Sequence, residues 1–172
     1  MAGIYDISFV GSTGTNFSVR KDLPEIDLGL TDKECYEAWV AFDTQNSFTE
    51  ISNVVDGGAI GGNTEVQSES LLANGRVQKW LGAQDPGSIA ITLGESLDDP
   101  GQILIRKLVR KRKQASFKVV APNGRIFYFA GYITGAPTNI GTSDDYLSSS
   151  FNIEINYAVF DSEMLKDDPA GA

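Results

Sequence analysis

The segment SFKVVAPNGRIFYFAGYIT, residues 116–134, decides the fold class. It has the pattern of two β-strands joined at Pro122-Asn123-Gly124, because an Asn-Gly pair supplies the positive φ angles that a tight hairpin turn demands. Residues 126–133 in its second arm are apolar on both faces. A strand of this kind lies in the middle of a sheet and is covered from both sides. The segment therefore predicts a central β-hairpin.

Two further segments alternate with the period of a half-buried strand. They are SIAITLG, residues 88–94, and SSSFNIEINYAVFD, residues 148–161. In the second, the alternation predicts a buried face made of Phe151, Ile153, Ile155, Tyr157 and Val159. The opposite face is hydrophilic and carries Asn152, Glu154 and Asn156.

The N-terminal half gives a weaker pattern. AWVAFD, residues 38–43, and SFTEISNVV, residues 47–55, are rich in β-branched and aromatic residues, so we predict strands for both. Just before them, TDKE at residues 31–34 matches a helix capping box. The fold class that follows is mainly β: an antiparallel β-sandwich with one flanking α-helix.

That helix is predicted for residues 99–113, in DDPGQILIRKLVRKRK. Asp98 or Asp99 is a suitable N-cap, and Pro100 suits the first helical position. An apolar stripe should face the sheet, with cations on the opposite side. The stripe is Leu104, Ile105, Leu108 and Val109, and the cations considered for contacts are Arg106, Lys107, Arg110 and Lys111. Three interpretations of these cations are a solvated helix face, a contact with an acidic protein surface, and nucleic-acid binding.

Charge and composition exclude several classes of function. The net charge of the 172 residues is −9, and without the six cations between residues 106 and 113 it is −15, which disfavours a conventional DNA-binding protein. Histidine is absent and Cys35 is the single cysteine, so no His-containing catalytic triad or zinc site can form. We predict no catalytic residues, no cofactor, no metal and no membrane segment. The lone cysteine also suggests folding in a reducing compartment.

Residues 56–75, DGGAIGGNTEVQSESLLANG, are glycine-rich and polar, with no sustained helix or strand period. A loop of this length in a compact domain usually has a function. We predict a projecting loop that becomes ordered against another subunit. Residues 1–160 are predicted to form a single domain, and residues 161–172 a flexible tail. The candidate contact residues in the loop are Asp56, Gly57, Gly58, Ile60, Gly61, Gly62 and Glu65.

The order of these segments resembles the major tail tube proteins of long-tailed bacteriophages. The resemblance spans residues 48–160. It is carried by FTEISNVVDGG, a long loop, GRVQKWLGAQDPGSIAITLGESLDDPGQILIRKL, FKVVAPNGRIFYFAGYIT and SSSFNIEINYAVF. Its more specific pieces are the turn at residues 82–87 before an alternating strand and the Asp-Asp-Pro-Gly-Gln start of the helix.

The resemblance implies a structural protein of the virion tail that is folded and assembled in the host cytoplasm. Subunits would close into rings, usually of six, with their inner sheets joined into a β-barrel, and the rings would stack into a conduit for the genome. Residues 56–75 match the loop that reaches the next ring. Other tail proteins would bind the tube ends. DNA would pass an acidic wall without specific binding. Asn152, Glu154 and Asn156 are the candidates for that wall, or their face simply meets bulk solvent. The basic helix would lie on the outside or at a subunit seam.

Three alternatives remain open at this point. One is a tube protein of a contractile injection system or a gene-transfer particle. Another is a non-catalytic β-sandwich that binds carbohydrate or protein, for which Tyr128, Tyr132 and Tyr146 are exposed-aromatic candidates. The third is a carboxylate-dependent enzyme that uses one of the acidic doublets at residues 98–99, 144–145 and 167–168.

Overall fold

The computed structural model describes residues 14–27, 29–141 and 146–166. These residues form ten strands, two α-helices and one 3₁₀ helix. The strands are β1 (Asn16–Arg20), β2 (Thr49–Ile51), β3 (Val54–Asp56), β4 (Asn63–Ser70), β5 (Val77–Asp85), β6 (Ser88–Gly94), β7 (Gln114–Val120), β8 (Ile126–Gly135), β9 (Thr138–Asn139) and β10 (Ser148–Asp161). The helices are α1 (Asp32–Gln45), α2 (Pro100–Lys111) and the 3₁₀ helix Ser162–Lys166.

Most strands belong to one antiparallel sheet that nearly closes into a barrel. Its order is β2-β1-β7-β8-β10-β6-β3, with β9 paired to β10. The two border strands, β2 and β3, are consecutive in the chain and are separated only by Ser52 and Asn53. A short link can join opposite borders only if the sheet curves round until they meet. The predicted mainly β class is confirmed.

Strand β8 lies at the centre of this sheet; it is covered on both faces as far as Gly131, as its apolar sequence predicts, whereas Tyr132 and Thr134 are exposed. Phe129 and Ile133 belong to the barrel core, together with Ile105 and Leu108 of α2. Tyr128 points to the opposite face, where its ring stacks on Trp39 of α1 with the centroids 5.7 Å apart. The two helices therefore lie on opposite faces of the sheet.

The strand predicted for residues 38–43 is wrong, because this segment lies in α1. The capping box starts the helix: Glu34 N–H donates to Thr31 Oγ1 at 3.4 Å, and Thr31 N–H donates to Glu34 Oε2 at 2.8 Å. One side of α1 then buries Cys35, Tyr36 and Trp39 against the sheet. Packing of these large side chains outweighs the β propensity of the segment, and the fold has a second helix that the sequence did not predict.

Helix α2 begins as predicted. Asp99 is its N-cap and accepts a hydrogen bond from Gln102 N–H at 2.9 Å, and Pro100 occupies the first turn. The helix ends at Lys111, and Arg112 adopts a left-handed conformation with φ 51°. The turn between β7 and β8 differs in detail from the predicted one. Gly124 has φ 86°, whereas Asn123 does not have a positive φ, which is the pattern of a three-residue hairpin loop.

The alternation of β10 is interrupted near its end. The pairing of β10 with β8 shifts between Asn156 and Val159, and Tyr157 has φ 74°. This β-bulge turns Tyr157 outward, so the prediction that Tyr157 is buried is wrong. After the bulge Phe160 is buried instead, against α1.

The flexible tail predicted from residue 161 is wrong for residues 161–166. Asp161 is buried at the end of β10, and Arg125 Nε donates to its Oδ2 at 2.9 Å. The following 3₁₀ helix places Met164 against the aromatic cluster beneath α1. Residues 167–172 lie outside the described residues.

Candidate assembly surfaces

Strands β4 and β5 form a hairpin that is separate from the main sheet. We call residues 63–85 the hairpin arm. Val66 lies opposite Leu81, and Ser70 lies opposite Val77, so the three apolar side chains share one face, which also carries Ser68, Ser70 and Lys79. Val66 is 60% exposed and Leu81 73% exposed, and Leu72 at the tip is fully exposed. An isolated two-stranded hairpin is marginally stable in water, so this apolar face is a candidate contact surface.

The predicted loop of residues 56–75 is divided by the structure into an anchored base and part of the arm. Asp56 ends β3, and Ile60 packs against the barrel core. Gly62 lies so close to the backbone of Asp85 and Pro86 that a Cβ there would clash. Of the seven candidate residues, only Glu65 belongs to the arm. The sequence predicts a loop without strands for this segment, and this prediction is wrong for residues 63–70, which form β4.

The polar side of β10 lies on an uncovered part of the main sheet. Glu154 is paired with Ser88 of β6 on one side and with Tyr132 of β8 on the other, and Asn152 is paired with Ala90. The structure thus brings the three predicted wall residues into one surface with their neighbours. We call this surface the polar strip: Ser88, Ala90, Tyr132, Thr134, Asn152, Glu154 and Asn156, all of them exposed. It carries one carboxylate and no cation.

Among the candidate cations of α2, Arg106 forms an ion pair within the protomer and the others do not form one with the described residues. Arg106 is half-buried; its Nη2 lies 3.2 Å from Glu95 Oε1 and 3.1 Å from Gln102 Oε1. Its charge is therefore already paired within the protomer, and its role as a seam residue stays a prediction. Lys107, Arg110 and Lys111 are exposed and form no ion pair with the described part of the chain.

A buried side chain of α2 joins the link between the two border strands to the end of β6. Gln102 Nε2 donates to the carbonyl oxygens of Ser52 and Gly94, at 3.2 and 3.0 Å. Its Oε1 accepts from Ser96 N–H at 2.9 Å. Asp99 Oδ2 also accepts from Ser52 N–H, at 3.4 Å. Asp99 and Gln102 therefore fix the link between β2 and β3 to α2 and to the end of β6 within one protomer. Sequence reasoning missed this role because it interpreted the Asp-Asp-Pro-Gly-Gln segment only as a helix start.

Two charged sites fix α1 and the end of β10 on the sheet. Asp43 Oδ2 accepts from Tyr128 OH at 2.8 Å and from Lys118 Nζ at 2.6 Å. Burial, together with this hydrogen bond, raises the pKa of Tyr128 above its ordinary value. Burial alone would raise the pKa of Asp161, but the hydrogen bonds from Arg125 and from Glu163 N–H outweigh it and hold that pKa below its ordinary value. These groups stabilise the fold and do not form a cleft around a reacting centre.

The residues that the other hypotheses require are scattered. Tyr128 is buried, Tyr132 is half-exposed and Tyr146 is exposed. Asp99 caps α2, while the acidic doublets at residues 144–145 and 167–168 lie outside the described residues. Within the described residues, no group of three His, Cys, Asp or Glu side chains is placed to hold a metal ion. No helix in the same part of the chain has the length and apolar character needed to cross a membrane.

No protein-family model and no curated protein matches the chain, but solved structures do. A chain of the six-fold symmetrised baseplate of the anti-feeding prophage matches with a TM-score of 0.60 at 9% identity, covering 86% of this chain and 89% of that one. A chain of the tail of an empty gene transfer agent particle, refined with C6 symmetry, matches at 0.55 and 19% identity, covering 66% and 85%. The SPP1 tail tube matches at 0.54 and 15% identity, covering 92% and 86%.

The chain shares its fold with chains of an anti-feeding prophage baseplate, a gene transfer agent tail and a tail tube, so the fold is not specific to long-tailed bacteriophages.

Proposed function

We propose that this protein is a structural subunit of a tail-type tube, in which copies assemble into stacked rings around a channel that carries the genome. The observation that supports this most strongly is the hairpin arm, whose apolar face is uncovered in a protein with a tail tube fold. An arm that is poorly stabilised by its own protomer gains stability from a second copy. Rings of six are supported by the six-fold symmetry of two of the similar structures.

The arm makes the contact between one ring and the next. Burying its exposed Val66, Val77 and Leu81 side chains against a neighbour contributes at most about 1.5–3 kcal/mol each. The contribution is repeated by every copy around a ring, so the sum is large even when each contact is weak. The base of residues 56–62, held against the barrel, sets the direction in which the arm leaves the protomer.

The polar strip forms part of the channel wall. Its side chains are short or neutral, apart from Glu154, and none of its positions is cationic. Duplex DNA binds proteins largely by releasing counterions from its phosphates to lysine and arginine. The strip itself lacks this source of affinity, so we expect DNA to pass without specific binding. Arg110, Arg112 and Lys113 line a groove with Tyr132 and Thr134 at the edge of the strip. In this arrangement Asn152, Glu154 and Asn156 face the channel, while Lys107, Arg110 and Lys111 lie at the seam between subunits.

The protein is then a component of a virion tail that is assembled in the host cytoplasm and binds other tail proteins at the tube ends. The alternative is a tube of a contractile injection system or of a gene transfer agent. It is favoured by matches to a sheath/tube terminator of an extracellular contractile injection system and to a gene transfer agent tail. A long-tailed bacteriophage is favoured by the sequence resemblance. A gene for a contractile sheath beside the gene for this protein would identify the contractile system.

Negative-stain electron microscopy of the purified protein tests the proposal. At concentrations of several milligrams per millilitre the wild-type protein should form rings or tubes with a central channel. The double variant Val66→Ser/Leu81→Ser should retain the fold and lose the stacked tubes. The matched control is Gln78→Ser, on the opposite face of the same arm, which should stack normally. A wild-type protein that stays monomeric, also when added to preformed tail tips, would contradict the proposal.

A further inference from the structure

One side of the molecule is acidic around α1. Between residues 22 and 37 the sequence contains six acids and one lysine, a net charge of −5. Two of the acids are engaged: Asp22 pairs with Arg20, and Glu34 belongs to the capping box. Glu25, Asp32 and Glu37 are exposed and have no ion-pair partner among the described residues. With exposed Leu23 and Leu30 beside them, these three acids form what we call the acidic face.

The side around α2 carries the opposite charge. Beyond Arg106, all cations of this region are exposed, and none of them forms an ion pair with the described part of the chain. An open groove of about 560 Å³ runs beside Lys107 and Arg110 and is lined in part by Leu97, which is 79% exposed. We call this surface the basic face. It consists of Leu97, Lys107, Arg110, Lys111, Arg112 and Lys113.

The two faces cannot neutralise each other within one protomer. Helix α1 packs on the face of the sheet that carries Tyr128, and α2 packs on the face that carries Phe129. Because successive residues of a strand point to opposite faces, the sheet itself lies between the two helices. Each face therefore keeps an unmatched charge and an exposed leucine side chain.

These charges distinguish between the two ways in which identical copies can associate. A two-fold dimer places the same patch of both copies in contact, which here brings cations against cations or carboxylates against carboxylates. Head-to-tail association places two different patches in contact and generates a ring when the rotation closes. Like charges in an interface cost free energy, and complementary charges also speed the encounter. Opposite charges on opposite faces of the sheet favour head-to-tail contact.

We propose that the basic face of one protomer docks on the acidic face of the next, so that α2 meets α1 across every seam of the ring. This contact rests on the proposed tube function and adds to it the partner surface and the polarity of the ring. The exposed leucines supply an apolar centre and the charged side chains a polar rim, which is the usual composition of a protein interface. The partner is a second copy of this chain.

Matched charge reversals test the contact. Lys107→Glu/Arg110→Glu reverses the basic face, and Glu25→Lys/Glu37→Lys reverses the acidic face. By sedimentation velocity in about 50 mM salt, where electrostatic contacts are weakly screened, each variant alone should associate at least tenfold more weakly than wild type. An equimolar mixture of the two should associate again, because each reversed face then finds a complementary one. The control is Glu50→Lys, an exposed carboxylate on β2 outside both faces, which should behave as wild type.

The outcomes separate this contact from the proposed function. If the wild type forms rings but the reversed variants still assemble, the α2–α1 contact is overturned and the tube function stands. The same conclusion follows if the wild type forms rings and the mixture is not rescued. A wild-type protein that never assembles overturns the tube function itself. Circular dichroism melts identify a variant that has failed to fold, and the neutral variant Lys107→Gln/Arg110→Gln then serves in its place, with a smaller loss expected. A further outcome is that the wild type binds duplex DNA tightly, and that Lys107→Glu/Arg110→Glu loses this binding but assembles as wild type does. This result would assign the basic face to nucleic acid and overturn the contact.

Discussion

The central pair β8–β10 and the hairpin arm β4–β5 are both antiparallel strand pairs, but they obtain their stability from different sources. Phe129 and Ile153 of the central pair are fully buried by the chain itself. Val66 and Leu81 of the arm are mostly exposed. The central pair is stabilised inside one protomer, whereas the arm depends on another copy. Substitutions in the central pair should therefore change folding, and substitutions in the arm should change assembly.

The largest effect is expected in the central pair. Phe129→Ala removes a fully buried ring that stacks on Phe117. The cavity and the lost transfer free energy should lower the free energy of unfolding by about 3–5 kcal/mol. Urea denaturation followed by circular dichroism measures this loss. A loss below about 1 kcal/mol would show that the barrel core does not carry the stability assigned to it.

The buried hydrogen bonds of Gln102 should show the next largest effect. Gln102→Ala leaves the carbonyl groups of Ser52 and Gly94 without their buried partner, and the cost should be about 2–4 kcal/mol. The same denaturation experiment measures it. Gln78→Ala on the exposed arm is the control and should change the free energy of unfolding by less than about 0.5 kcal/mol. Equal effects of the two substitutions would remove the distinction between barrel and arm.

The arm should behave in the opposite way. Val66→Ser/Leu81→Ser should leave the free energy of unfolding of the protomer within about 0.5 kcal/mol of wild type. Its self-association should fall by tenfold or more, a factor that corresponds to about 1.4 kcal/mol. Light scattering across a dilution series measures the association. If the variant lowers the free energy of unfolding by more than about 1 kcal/mol while the folded variant associates as wild type does, the apolar face of the arm is part of the core.

The smallest effect is expected at the rim of the barrel, where Asp161 meets Arg125. The pKa of Asp161 is lowered in the fold, so its stabilising contribution is present above the unfolded pKa of about 3.8 and is lost as the pH falls through the lower folded value. Because Arg125 is partly exposed, the contribution should be about 1 kcal/mol or less. Thermal melts between pH 6 and 2 measure it. Asp161→Asn should lose less stability on acidification than wild type, and an identical pH dependence would contradict the assignment.

The sequence predicts β6, β7, β8 and β10 well because their side chains face a core, but it did not predict β1, although Val19 of that strand is fully buried. The alternation around Ile153 and the cap at Asp99 are local patterns, and the structure contains both. The arm strand β4 gives no such pattern, since none of its faces meets a core of the same protomer. The strand prediction for residues 38–43 was wrong because the β propensity of residues such as Trp39 is a local property. It does not show that a helix containing Trp39 will pack on Tyr128. The bulge at Tyr157 and the partners of Gln102 depend on residues that are distant in sequence.

The assembly surfaces were predictable only in part. The polar strip follows from one strand of alternating sequence, and the structure adds the neighbouring strands that complete it. The free cations of α2 follow from the composition, but the pairing of Arg106 with Glu95 depends on the tertiary fold. The opposite placement of the acidic and basic faces could not be derived without knowing that α1 is a helix on the far side of the sheet.

A cryo-electron microscopy map of the assembled wild-type protein tests most directly the claim that another copy completes the arm. The account predicts that Val66 and Leu81 of each copy are buried against the adjacent ring and that the channel is lined by the polar strip with Glu154. A map in which the arms extend into solvent, or in which Lys107 and Arg110 line the channel, would contradict it.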